Sequence, residues 1–177
     1  MLDKELIIPI LVGVFLFVTD LAFGWMTIPL SPFPVLFIIA FVTGFLARGF
    51  VKGVQLTFFA LLIGILVGCL LGPVIFSEFW EDDVFLPLLP LVVMMWSVRG
   101  MFLQVEPGET WGEQLAQAIG MGILLLVGTP IIYLFSLAVG GIGGLFGKVI
   151  IGQFAKRTRP IPDEIPDHWV DPDSTAG

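Results

Sequence analysis

Two residues of opposite charge stand out in a chain otherwise short of reactive groups. Asp20 sits near the end of the apolar run 6–22, and Arg99 near the end of the apolar segment 84–103. A carboxylate held in or beside a membrane helix is costly to keep charged, so it is a functional candidate by default, for a proton- or cation-coupled site. The blander expectation carries more weight here: Asp20 lies one turn below Trp25, at a wet outer interface. Arg99 can reach it from the same side, and such a pair is structural first.

The remaining chemistry is sparse. The single Cys69 falls in the middle of an apolar run, where it reads as a small hydrophobe and can form no intrachain disulfide. The single His168 lies in a polar tail, so no intramembrane histidine is left to ligate haem or a transition metal. No phosphate-binding glycine loop with Lys-Ser/Thr, no HExxH, no GxSxG and no CxxC pair is present. No nucleophile is paired with a base. These absences argue against an enzyme and imply neither metal nor cofactor.

The elements that position these residues follow from composition. Hydrophobic residues make up 57% of the 177 and charged residues 13%, about half the charged share of a soluble domain. The run 54–76 carries no charge and is long enough to cross the ~30 Å hydrocarbon core of a bilayer. Runs 6–22, 33–47 and 115–147 are almost as apolar. The N-terminal run has a mixed rather than basic start and no clean small-x-small site, which reads as a retained first helix rather than a signal peptide. The expected fold class is an all-α integral membrane protein. It comprises a four-helix transmembrane bundle over residues 1–159 and an acidic, proline-rich cytoplasmic tail over 160–177.

Segment 84–103 is the weak point of that count. Its clean apolar run is short and carries Pro87 and Pro90, so a re-entrant or interfacial piece is favoured over a fifth span. The apolar run 115–151 has the opposite problem. As one straight helix it would reach ~55 Å, so a break or a tilt is expected, with Thr129-Pro130 and the glycine cluster 140–144 as the candidates. Pro73 is expected to end or kink the third span.

Basic residues orient the bundle. Arg48 and Lys52 lie between the second and third spans, and Lys156, Arg157 and Arg159 follow the last. Lys148, near that end, is read as snorkelling to headgroups. The positive-inside rule puts these six residues at the cytoplasmic interface and both termini inside. The acidic loop 77–83 and the stretch 104–114 then fall outside, with Trp80 and Trp111 at the outer interface. The expected location is the plasma (inner) membrane of a prokaryote. The acidity is confined to that loop and the tail, so no nucleic-acid partner is implied.

Glycine spacing supplies the sharpest local signal. Gly140, Gly144 and Gly147 share a face of the last span, and Gly64, Gly68 and Gly72 recur at four-residue intervals in the third. Bare backbones at such faces let membrane helices approach closely. The two faces are expected to pack within the chain, on each other, with another subunit as the alternative. A weak internal match points the same way. Residues 34–53 align with 130–149 at an offset of 96, pairing Pro34 with Pro130, Gly44 with Gly140, Phe50 with Phe146 and Lys52 with Lys148. It implies that both helices run in the same direction.

The favoured functional expectation is a non-catalytic multipass subunit. It would pack through its glycine faces in a homo-oligomer or with other membrane subunits, use the tail as a docking arm and have membrane lipid as its solvent. A small transporter or channel with broken helices near Pro130 and 140–144 is the second expectation. Polar lining argues against it, because only Thr43, Thr57, Thr129, Tyr133 and Ser136 are available. Binding of a lipid or isoprenoid in a Phe-rich groove is the third.

Overall fold

The computed structural model describes residues 4–75, 89–102 and 110–157. These residues are almost entirely helical, and no strand occurs among them. The helices are α1 (Lys4–Phe23), α2 (Thr27–Leu30), α3 (Val35–Ala47), α4 (Phe50–Leu70), α5 (Gly72–Ile75), α6 (Leu89–Ser97) and α7 (Trp111–Arg157); a 3-10 turn, Arg99–Phe102, follows α6. The expected acidic loop, residue 159 and the tail 160–177 lie outside the described residues.

Three helices are long and apolar enough to cross a membrane: Glu5–Phe23, Phe50–Leu70 and Gly112–Gln153. Their outward faces carry Leu11, Phe15, Phe58, Leu62, Leu66, Leu134 and Phe135, all exposed. Water would not tolerate so much contiguous apolar surface, whereas lipid matches it. The all-α membrane class stands on that basis. α3, the expected second span, has 13 residues and reaches only ~20 Å. α6 has 9 residues, ~14 Å, which suits a segment that packs on the bundle rather than crossing the bilayer.

Two expectations about prolines meet different outcomes. α4 ends at Leu70 and a new helical turn starts at Gly72, so the break falls just before Pro73. Pro73 has no N–H to give to the Cys69 carbonyl and its ring crowds that oxygen, so the helical ladder is interrupted on the approach to it. α7, by contrast, is unbroken through Pro130 and through the glycine cluster for 47 residues. The expected break is absent. Pro130 deletes one intrahelical bond, a loss that a long membrane helix can carry. α4 also begins earlier than the apolar run suggested, so Lys52 lies in its first turn rather than in a loop.

Close backbone approaches set the packing. α1 and α4 run parallel, meeting at Gly13 with Ala60, Phe17 with Gly64, and Leu21 with Gly68. A Cβ placed on Gly64 would lie 2.8 Å from the Phe17 ring, and one on Gly68 would lie 2.9 Å from Leu21 and 3.0 Å from Val93 of α6. α3 and α7 also run parallel: Gly143 and Gly147 press on the carbonyls of Phe41 and Phe45, and Gly44 meets the Gly140 backbone. α4 runs antiparallel to α7, with Thr57 against Gly140 and the Gly49 carbonyl against Gly144.

Gly64 and Gly68 on α4 and the glycines of the α7 run thus meet other elements of the chain rather than each other. The run on α4 takes α1 and α6, and the run on α7 takes α3 and α4. Gly72 is buried. The parallel α3–α7 pair crosses at Gly44 and Gly140, the equivalents in the internal match. At one end of the bundle, Phe17, Leu21, Met26, Val35, Leu36, Ile39, Leu61, Leu89, Val93 and Val98 form the apolar core.

Candidate functional site

The Asp20 neighbourhood is built where α1 ends. Gly24 adopts a left-handed conformation, φ +64°, which glycine reaches without steric cost. Its N–H donates to the Asp20 carbonyl at 2.7 Å, closing the helix. The chain then turns back over its own last turn. The Met26 and Thr27 N–H groups donate to Asp20 Oδ1 at 2.8 and 2.9 Å, and the Thr27 hydroxyl donates to Oδ2. One carboxylate thus satisfies the donors that open α2, where acidic groups suit the exposed N–H ends.

Arg99 completes the knot from the 3-10 turn. Its Nη2 donates to the Asp20 backbone carbonyl at 3.3 Å and its Nη1 to the Trp96 carbonyl at 3.1 Å. The guanidinium also lies 4.8 Å over the Trp96 ring, a favourable seat for a cation. Burial pushes the Arg99 guanidinium below its ordinary value, and the Asp20 charge opposes that shift. Gly100 presses on Thr27, and Ser31 Oγ donates to the Gly100 carbonyl. The expected meeting of Asp20 with Arg99 is present, but through the backbone carbonyl and the field of the carboxylate rather than through a direct ion pair.

One expectation is overturned. Asp20 is not at a wet interface: it is 4% exposed, beneath Thr27 at 1%. Three protein donors stand where the sequence suggested water. The carboxylate accepts these three bonds and so ties the end of α1 to the start of α2. Thr27, Gly24 and Gly100 are the members that sequence reasoning missed. The signal lay in the spacing of Asp20, Gly24 and Thr27, an acid followed by a turn glycine and then a hydroxyl.

No protein-family model, curated protein or solved structure matches this chain. Its own geometry is therefore the ground on which function rests.

The hydroxyls considered as pore lining all face inward. Thr43, Thr57, Thr129 and Ser136 are buried. Thr43 and Ser136 return their protons to the carbonyls of Ile39 and Ile132 at 2.8 Å, and Thr57 donates across to the Ala40 carbonyl at 3.3 Å. Tyr133 pairs with Ser97 at 2.9 Å. Thr129 Oγ1 is buried and has no partner among the described residues. Apart from Thr129, these hydroxyls bond within their own helix or across to a neighbour, Thr57 to α3 and Tyr133 to α6, as small polar groups do in a packed membrane interior. Met94 and Tyr133 also line an apolar groove of about 430 Å³ among α4, α6 and α7.

At the other end of the bundle, Glu5, Leu6, Ile8, Pro9, Leu46, Ala47, Arg48 and Lys52 surround a recess of about 300 Å³. Lys148 is exposed, on the half of α7 that packs beside α3 and α4. The side chains of Lys156 and Arg157 lie outside the described residues, as do Arg159 and His168. Among the described residues, no group of three or more His, Cys, Asp or Glu side chains is placed to hold a metal ion.

Proposed function

We propose that this protein is a non-catalytic membrane subunit that works inside a larger assembly, either of its own copies or with other membrane chains. The observation that carries this reading is the first half of α7. The helix has 47 residues and reaches ~70 Å, more than twice the hydrocarbon core. Its second half is level with α3 and α4 and packs against them. Along its first half, a Cβ placed on Gly112, Gly120, Gly122 or Gly128 would meet nothing within 4 Å, and Ile119, Ile123 and Leu124 are exposed. Gly112, Ala116 and Gly120 recur there at four-residue spacing. A long apolar stretch whose glycines meet no partner among the described residues fits a surface that another helix covers.

Gentle extraction in native lipid, followed by mass measurement, tests the reading. A particle heavier than the 19.4 kDa chain is expected. A lone chain of that mass sinks the proposal. Deleting residues 160–177 probes the docking role of the tail: the bundle is expected to insert normally while a tail-bound partner is lost.

The proposed topology has four crossings, α1, α3, α4 and α7, with both termini cytoplasmic. Its support is geometric. The start of α1 and the α3–α4 turn share one recess, and the second half of α7 packs beside that turn, so Glu5, Arg48, Lys52 and Lys148 gather towards one end. The positive-inside rule assigns that end to the cytoplasm. A Ser174→Cys probe in a Cys69→Ser background is expected to resist impermeant thiol reagents in intact cells. Labelling from outside overturns the four-crossing topology.

A further inference from the structure

We propose that the recess between α1 and the α3–α4 turn is a headgroup site for an anionic phospholipid. The proposal rests on the membrane reading above and adds a particular lipid chemistry to it. The recess has two kinds of lining residue. Leu6, Ile8, Pro9, Leu46 and Ala47 give it apolar lining, and Arg48 and Lys52 give it cationic lining. Its volume, about 300 Å³, is at the lower end of the range for small-ligand pockets. That suits a headgroup and the first carbons of its chains rather than a whole lipid.

The two cations are uncommitted. Among the described residues, neither Arg48 nor Lys52 makes a side-chain hydrogen bond or ion pair. Arg48 is also the one non-glycine residue among them with a positive φ, 55°. Left-handed backbone is unusual for an arginine, and Gly49, which would adopt it freely, is the next residue. The α3–α4 corner thus spends its strained position on a guanidinium. Strain of this kind gathers where a side chain must be aimed. A planar guanidinium fits a phosphate with two parallel donors, and a lysine adds a point charge beside it.

Glu5, which also lines the recess, selects among phosphates. Two cations against one carboxylate leave a net positive recess, which favours a headgroup with net negative charge over a zwitterion. The apolar lining and the position at the end of the membrane helices favour a lipid over a free phosphate ester. A soluble phosphate would leave Leu6, Ile8 and Leu46 facing water.

The test uses the full-length protein in detergent, with lipid binding read by native mass spectrometry. Phosphatidylglycerol is expected to bind about tenfold or more tightly than phosphatidylcholine. Lys52→Gln and Arg48→Asn are each expected to erase most of that preference. Asparagine tolerates the left-handed backbone, so Arg48→Asn removes the charge while sparing the corner, and unchanged lipid-free melting confirms the fold. Glu5→Gln is expected to tighten phosphatidylglycerol binding. Equal binding of the two lipids, or full retention of the preference in both cation variants, overturns the site. Glycerol 3-phosphate binding as tightly as the lipid overturns the choice of a lipid. Weaker phosphatidylglycerol binding by Glu5→Gln overturns the anionic assignment, because the headgroup must then be donating to that carboxylate. A carbonate wash of membranes reads the underlying assignment separately. A chain released by the wash overturns membrane residence and the lipid site together, whereas a chain retained without lipid preference overturns the lipid site alone.

Discussion

Asp20→Ala is expected to destabilise the folded bundle by about 3–5 kcal/mol. The variant removes the acceptor of two backbone N–H groups and one hydroxyl at a corner where Thr27 is 1% exposed. Each buried donor left without a partner costs about 1–3 kcal/mol, because water cannot enter to replace the lost bond. Arg99 suffers as well. It is half-buried against Trp96 and the Asp20 carbonyl, and it loses the one charge that offsets its desolvation. Asp20→Asn should be milder, about 1–2 kcal/mol, since the amide oxygen can still accept from Met26 and Thr27 while the charge opposite Arg99 is gone. Thermal melts in detergent of the two variants and the parent check this order. Parent-like melting of Asp20→Ala would mean that water already solvates the carboxylate. The proton-coupled alternative is tested in the same set: reconstituted protein that moves ions, and stops with Asp20→Asn, would favour a transporter over a subunit.

Height along the helix, one turn from Trp25, suggested a wet Asp20, and height does place the residue at the end of α1. What height leaves out is the path of the chain afterwards. Gly24 turns the backbone by a left-handed step, and only then do Met26 and Thr27 fold over the carboxylate. A one-dimensional pattern shows which residues can bend but not where the bent segment lands. The pairing of Arg99 with Asp20 was legible because charge in an apolar chain has few places to go.

The membrane class was legible from long uncharged runs, because apolar length is a nearly sufficient condition for a spanning helix. The interruption at Pro73 was legible for a local steric reason. The same logic misled at Pro130, where α7 continues. A lone proline costs one hydrogen bond, and whether the helix survives depends on what packs around it. The glycine faces were legible as close-packing surfaces, but their partners were not. Gly64 and Gly68 are met by Phe17, Leu21 and Val93, and Gly140 by Gly44, Gly53 and Thr57. A trace of the Gly140 contact lay in the four-residue spacing of the small residues Gly49, Gly53 and Thr57 at the start of α4.

The second large effect is expected from the glycines where α3 crosses α7. A Cβ on Gly44 runs into the Gly140 backbone, and one on Gly140 runs into the Thr57 side chain. A backbone cannot rotate away as a long side chain can, so Gly44→Ala forces the two helices apart along the whole crossing. Overpacking on this scale is expected to cost about 3 kcal/mol, at the upper end of the usual range. Gly120→Ala, on α7 itself, is the matched control. Its Cβ meets open space, so the isolated chain should be unharmed, or stabilised by up to about 1 kcal/mol from the better helix former. Melting the isolated chain therefore separates glycines that pack from glycines that do not. Repeating Gly120→Ala in the lipid-extracted assembly carries the comparison further. If the first half of α7 is covered by another helix, alanine should now cost stability or dissociate the particle, because small-residue faces exclude even one added methyl. Identical behaviour of Gly120→Ala and the parent in both settings would leave that face turned towards lipid or water, and the subunit reading would lose its main support.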